Sequence, residues 1–204
     1  MNYLKKTFVF PLLFFILSAC VSSPPQHPDN ICSIFQEKRH WYHVALKTEK
    51  KWHVPFSIPM AMMYQESGFH SNLHTKRTYF LGFIPWGYIT TAYGYPQAKT
   101  DIWHEYEHVT HQRSSRENFA DSLDFMDWYI TISHQQNNIA VQDAMQQYLA
   151  YHEGWGGFRR KTYLHKPWLV NVAQKVSIRS SRYSHQYARC EESLKDKSFW
   201  SWLF

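Results

Sequence analysis

From Ile34 onward the apolar side chains of this chain return at helical spacing, and no stretch alternates as a strand does. Ile34, Phe35, Trp41, Tyr42, Ala45, Leu46 and Trp52 share one face of a first helical stretch. Ser57 is expected to cap a second, with Pro59 tolerated in its first turn. That helix carries Ala61, Met62, Met63 and Tyr64 and should stop at Gln65-Glu66-Ser67-Gly68. Further helices are expected at about 96–107, 115–134, 141–152 and 167–186, the last opened by Pro167. Between them, residues 69–95 lose the period, and Gly82, Pro85, Gly87 and Gly94 punctuate a long ordered loop. Loops of that length inside a compact domain are usually functional. The expected fold class is therefore all-α, with no internal repeat.

Ahead of the helices stands an export signal. Lys5 and Lys6 precede an apolar run from Phe8 to Leu17, broken by Pro11. The run is about ten residues, short of the roughly 20 that span a bilayer. Leu17-Ser18-Ala19-Cys20 matches a lipobox: a branched residue, two small ones, and the cysteine whose thiol takes a diacylglyceryl group. Residues 1–19 thus read as a cleavable signal and Cys20 as the lipid-bearing N-terminus of a membrane-anchored mature protein. An ordinary signal with an unrelated cysteine and a short N-terminal anchor are the alternatives. Val21, which is not an aspartate, directs such a lipoprotein to an outer membrane, facing the periplasm. Residues 20–30 hold three prolines and no period, so they read as a flexible tether. A single domain is expected over 31–192, followed by an aromatic tail over 193–204.

The 185 residues left after the signal suffice for one domain with a substantial core. Losing Lys5 and Lys6 and no acid takes the net charge from +6 to +4. Lysines and arginines are scattered among acids and aromatics, which together with the envelope compartment argues against nucleic acid. Mild positive charge suits anionic lipids and the anionic cell-wall polymer. Aromatics reach 18% of the residues, with nine Trp and fourteen Tyr, more than a core of this size needs. Some of these rings are expected to line a carbohydrate cleft. Cys32 and Cys190 lie near opposite ends of the mature chain in an oxidising compartment, which favours a disulfide over two buried thiols. Closing so long a loop contributes about 4–5 kcal/mol at best in the loop-entropy account.

Several chemistries lack their signatures. Despite thirteen histidines, the His-Glu-x-x-His spacing is missing, since Gly154-Trp155-Gly156 follow His152-Glu153. His40 with His43, and His104 with His108, share helix faces but have no third ligand in view, so no metal and no cofactor is assigned. No glycine loop suited to phosphates and no serine-nucleophile elbow is present. Glu66 stands out instead. It ends an apolar helix just before Ser67 and Gly68, so its carboxyl is held on rigid backbone among methionines and aromatics and opens toward a loop. Burial of that kind raises a carboxyl pKa, the condition for a general acid that protonates a glycosidic oxygen near neutral pH. A solvated or paired surface glutamate is the plainer alternative.

Two later segments stand in register with it: Gly94-Tyr95-Pro96-Gln97 and Ala150-Tyr151-His152-Glu153-Gly154. Glu-Ser, then Gly-x-x-Gln, then Ala-Tyr-x-x-Gly resembles the catalytic segments of the soluble lytic transglycosylases, which share the goose-type lysozyme fold. The resemblance spans about residues 55–160. It implies a single lysozyme-like domain and peptidoglycan glycan strands as the partner. It also implies that Glu66 protonates the oxygen between N-acetylmuramic acid and N-acetylglucosamine and then acts as base. By the same match, Ser67 touches substrate or orients the carboxyl, and Gly94 to Gln97 set backbone groups and the Gln97 amide against the N-acetyl sugar. Tyr151, matching the family's tyrosine, would donate its hydroxyl toward Glu66. It is otherwise a core aromatic.

Retaining and inverting glycosidases use two carboxylates, whereas the transglycosylases need one, because the substrate's N-acetyl group assists and the muramyl 6-hydroxyl attacks. Glu153 replaces an alanine of the family pattern. Two roles stand for it: positioning a water in the cleft, which favours hydrolysis, or a structural pair with Arg159 or Arg160. Trp86, between Pro85 and Gly87, is either a sugar-stacking residue of the cleft or a loop anchor packed on the core. Tyr93 and Tyr95 flank Gly94 and are candidates for the same floor. The leading reading is a transglycosylase that leaves 1,6-anhydromuramyl ends. A lysozyme-type hydrolase, a non-catalytic glycan binder and a structural envelope lipoprotein are the competitors, and no protein partner is named.

Overall fold

The structure, a computed structural model, describes residues 23–203, with side chains as far as residue 195 apart from Phe80. The signal, the lipobox cysteine Cys20 and the aromatic side chains of the tail lie outside the described residues. Seven α-helices carry the domain: α1 (Ile31–Glu37), α2 (Arg39–Trp52), α3 (Ser57–Ser67), α4 (Thr100–Thr110), α5 (Phe119–Asn137), α6 (Ala144–Arg159) and α7 (Pro167–Leu203). A 3₁₀ turn over Thr162–His165 joins the last two. The all-α expectation holds, with one addition. Residues 77–88 form an antiparallel hairpin, β1 (Arg77–Phe80) and β2 (Ile84–Tyr88), within what was expected to be a long ordered loop. A bulge between Thr78 and Tyr79 and a proline in β2 break the strict alternation by which a strand is recognised.

Side-chain caps start three of the helices. Asn30 accepts from the N–H groups of Cys32 and Ser33, Asn118 from those of Ala120 and Asp121, and Asp143 from that of Gln146. Ser57 does not cap α3. It is the first helical residue, Phe56 occupies the cap position, and the Ser57 hydroxyl accepts from Ser180 Oγ on α7. The first apolar stretch is divided between α1 and α2 by Lys38, whose backbone leaves the helical region. The last helix runs well past its expected end near residue 186, through the region read as a separate tail.

α3 is buried from Ser57 to Met63, with Met60, Ala61, Met62 and Met63 fully enclosed. A helix apolar on all sides belongs in the middle of a domain. It packs on α7 and α5, while α5 also carries α2 and α6. Trp41 of α2 stacks flat on Phe119 at the start of α5, with ring centroids 3.9 Å apart. Asp124 of α5 gathers three donors, Lys51 Nζ at 2.7 Å, Trp52 Nε1 at 2.9 Å and the Tyr106 hydroxyl at 2.7 Å, and so ties α2 and α4 to α5.

The segment read as a tether is held over its described C-terminal part. Pro25 is buried, Gln26 N–H donates to Glu37, the Tyr183 hydroxyl donates to the Pro28 carbonyl, and Arg179 pairs with Asp29. Residues 25–30 are therefore strapped along α7. The Cys32–Cys190 disulfide closes the same seam, joining α1 to α7 across 158 residues of sequence.

Candidate active site

Glu66 occupies the last turn of α3, which stops where the Gly68 N–H returns to the Tyr64 carbonyl at 2.8 Å. The residue keeps part of its surface open, while protein encloses its carboxyl. Burial pushes that carboxyl up to about 7, and a hydrogen bond from the Tyr148 hydroxyl opposes the rise in part. At neutral pH the group is poised between its two protonation states.

Tyr148 comes from α6, one helical turn before the tyrosine that the sequence singles out. Tyr151 lies close enough to feel the charge on Glu66, but its hydroxyl donates to the Pro96 carbonyl at 2.6 Å. The expectation that Tyr151 would hold Glu66 is corrected on this point. The reason is helical geometry: residues three apart share a face. Tyr148 therefore reaches α3 while Tyr151 reaches the 94–97 loop. Tyr129 backs Tyr151, with its ring 4.9 Å from that of Tyr151 and its hydroxyl donating to the Ala150 carbonyl at 3.0 Å. Through these tyrosines the three sequence segments meet, α3 and the 94–97 loop each touching α6.

Within the loop, Gly94 has φ of +74° and lies against the Arg116 backbone, where an added Cβ would stand 2.2 Å from the Arg116 carbonyl oxygen. Arg116 also donates to the carbonyls of Thr91 and Ala98, both at 2.8 Å, and its own carbonyl accepts from Tyr95 N–H at 3.0 Å. It is the clamp of this loop, and no motif marks it. Gln97 turns its amide nitrogen inward, donating to the carbonyls of Leu73 (2.7 Å) and Gly94 (3.0 Å), so that donor holds the loop's shape. Tyr95 is a core residue, 1% exposed and edge-on to Trp41. It does not form a cleft floor. Tyr93 is partly open, stacks on His74 at 4.2 Å, and donates to Glu117. Burial and the Glu117 carboxylate push its hydroxyl up to about 12.

Ser67 likewise departs from expectation. It is buried, and its hydroxyl donates back to the Met63 carbonyl at 3.2 Å, a bond within the helix end. Glu153 is in a structural ion pair. Its side chain is 3% exposed and accepts from Lys166 Nζ at 2.7 Å, from Thr162 Oγ1 and from the His152 ring. Burial alone would raise this carboxyl, but those donors outweigh it and hold it down at about 2. The partners are Lys166 and Thr162, where Arg159 or Arg160 was expected. Gly154 (φ +73°, ψ 159°) kinks α6 immediately afterwards and turns the chain toward them. Trp86 is not a loop anchor buried in the core. It lies on β2 with 75% of its surface exposed.

Compared with known proteins, residues 8–190 match a family model described as a transglycosylase SLT domain. No curated protein and no solved structure matches the chain.

Proposed function

The chain belongs to the transglycosylase SLT-domain family, and from that premise we propose that it cleaves the β-1,4 bond between N-acetylmuramic acid and N-acetylglucosamine with Glu66 as its one acid and base. The family implies lytic transglycosylase activity on peptidoglycan and the lysozyme-like all-helical fold. The observation that carries the finer reading is the state of Glu66. A carboxyl raised to about 7, buried at the end of α3 and held by Tyr148, has a proton to give at neutral pH and can take one back. Glu66 protonates the glycosidic oxygen as the bond breaks. The N-acetyl carbonyl supports the developing charge at the anomeric carbon, and Glu66 then accepts the proton of the muramyl 6-hydroxyl as it closes the 1,6-anhydro ring.

The bound state of Glu153 supports an anhydro product. An ionised carboxylate shared among Lys166, Thr162 and His152 is not placed to recruit a water. In this reading the signal and lipobox deliver the chain to the envelope, with a lipid on Cys20 holding it to the outer membrane, facing the periplasm.

The test is digestion of purified sacculi with mass analysis of the muropeptides. The anhydro product is lighter by about 18 Da, one water, because intramolecular attack takes up none. Wild type is expected to give mostly anhydro ends, and Glu66→Gln to lose ~10²–10⁴-fold in rate while still binding glycan. Reducing ends from the wild type would make the protein a hydrolase. Undiminished turnover by Glu66→Gln would remove Glu66 from the mechanism.

A further inference from the structure

Between Glu66 and Asp101 the chain holds no acidic residue, and this acid-free stretch contains the hairpin. β1 and β2 are joined by Leu81-Gly82-Phe83, with Phe80 paired to Ile84 at the tip and Arg77 to Tyr88 at the base. Neither strand packs broadly against a helix. Leu81 is 69% exposed, Phe83 73%, Ile89 62% and Tyr79 54%. A soluble domain seldom leaves such a contiguous apolar surface uncovered without a partner for it.

The chemistry is graded along the hairpin. Leu81 and Phe83 form the tip, Tyr79 and Trp86 stand behind them, and Lys76 and Arg77 lie at the base. The base is firmly held. The Arg77 guanidinium lies 5.4 Å from the Tyr88 ring and donates to its hydroxyl, while His74 stacks on both Tyr88 (4.3 Å) and Tyr93 (4.2 Å). Four paired residues at about 3.4 Å each project the tip roughly 10 Å or more from that base.

That order is the one a bilayer surface selects: aliphatic groups in the acyl region, aromatic rings at the headgroups, cations against lipid phosphate. Other occupants fit less well. Sugars stack on aromatic faces, and the aliphatic Leu81 and Ile89 offer none. A second copy would bring Lys76 and Arg77 against their like, and Pro85 removes a donor that strand pairing would use. We propose that the hairpin 77–88 is a membrane-insertion element that dips its Leu81–Phe83 tip into a bilayer carrying anionic lipid. No described helix is long and apolar enough to cross a membrane, so this is contact with one leaflet. The proposal stands apart from the glycosidase reading and from lipidation of Cys20.

The test uses the chain from residue 20 onward with Cys20→Ser, so that no acyl chain contributes. All side-chain contacts described here lie within residues 23–195 and are retained. Vesicles of phosphatidylethanolamine with 30% phosphatidylglycerol are floated with the protein, and bound fraction is read without any turnover. Wild type is expected to float, and Leu81→Asp/Phe83→Asp to lose at least ~10-fold in partitioning. Lys76→Glu and added salt should each weaken binding to anionic vesicles more than to neutral ones. Acyl-brominated lipid should quench tryptophan fluorescence in wild type, and Trp86→Phe should abolish most of that quenching. Phe83→Ser repeats the test if the double variant disturbs the hairpin. Failure to float at any lipid composition, or equal flotation of the tip variants, overturns the proposal. So does a tip variant that keeps vesicle binding while losing binding to sacculi, which would make the hairpin a glycan contact. Conversion of a dimer to a monomer by the tip variants, with vesicle binding unchanged, would assign the surface to a second copy.

Discussion

Two tyrosines three residues apart divide the work around one carboxyl. Tyr148 bonds to Glu66, and Tyr151 bonds to the loop that carries Gly94. The Tyr148 bond lowers the Glu66 pKa, because a donor favours the charged carboxylate, while burial works the other way. In the proposed reaction Glu66 enters as the acid and must be protonated, so activity is expected to fall as pH rises through about 7. Removing the hydroxyl in Tyr148→Phe takes away the lowering effect. The basic limb of the rate profile is therefore expected to move to higher pH, with a lower maximal rate because the carboxyl is less well held. A pH series on soluble glycan strands checks this. A basic limb that stays in place while the rate falls would mean that Tyr148 only packs.

At the scale of elements, the site depends on how α6 is bent and how the 94–97 loop is clamped. A Cβ on residue 94 meets backbone, which no rotamer change relieves, and the residue also needs a left-handed φ. Gly94→Ala is expected to destabilise by about 2–4 kcal/mol and to displace the loop from Tyr151. Denaturant unfolding reads the first effect and muralytic rate the second. Beyond the Gly154 kink, Glu153 binds the 3₁₀ turn and the start of α7. Its pKa lies below the ordinary value of 4.5, at about 2, so its contribution is present above 4.5 and fades as pH falls toward 2. Lys166 is partly in water, and screening limits what the pair is worth. Glu153→Ala should lose about 1–2 kcal/mol near pH 7 and much less near pH 2, with the ratio of anhydro to reducing ends unchanged. A product ratio that shifts in the variant would place Glu153 in the chemistry after all.

For the whole molecule, the seam between the N-terminal strap and α7 is closed by a covalent bond. The disulfide joins residues 158 apart, and loop entropy puts its contribution at about 5 kcal/mol, less any strain. Cys32→Ser/Cys190→Ser is expected to lower the unfolding midpoint in the way reductant does, and reductant should have no further effect on the variant. Peptide mapping without reductant should recover one cross-linked pair. Because the bond joins α1 to α7 and touches neither α6 nor the 94–97 loop, muralytic rate at 25 °C should change little. With residues 25–30 strapped to α7, a lipid on Cys20 would hold the domain by about five residues, a reach of roughly 17 Å at full extension.

Much of this was legible in the chain itself. Helical period, the stop after Ser67, the opening of α7 at Pro167 and the pairing of Cys32 with Cys190 follow from local chemistry and compartment, and each is present in the structure. Glu66 too was legible, since an acid ending an apolar helix is a local pattern. The partners of the motif residues were not. Ser67, Tyr95, Gln97, Tyr151 and Glu153 stand in the motifs, yet the motifs do not say which contacts these residues make: Met63, Trp41 and Leu73 for the first three, Pro96 of another segment for Tyr151, and Lys166 for Glu153. Arg116 and Tyr148 carry no sequence signal because their roles exist only once α5, α6 and the loop converge. Helix propensity, caps and periodicity act within a few residues, and sequence determines them alone. Which side chain completes a buried carboxyl is decided by elements more than eighty residues apart, and only their packing decides it.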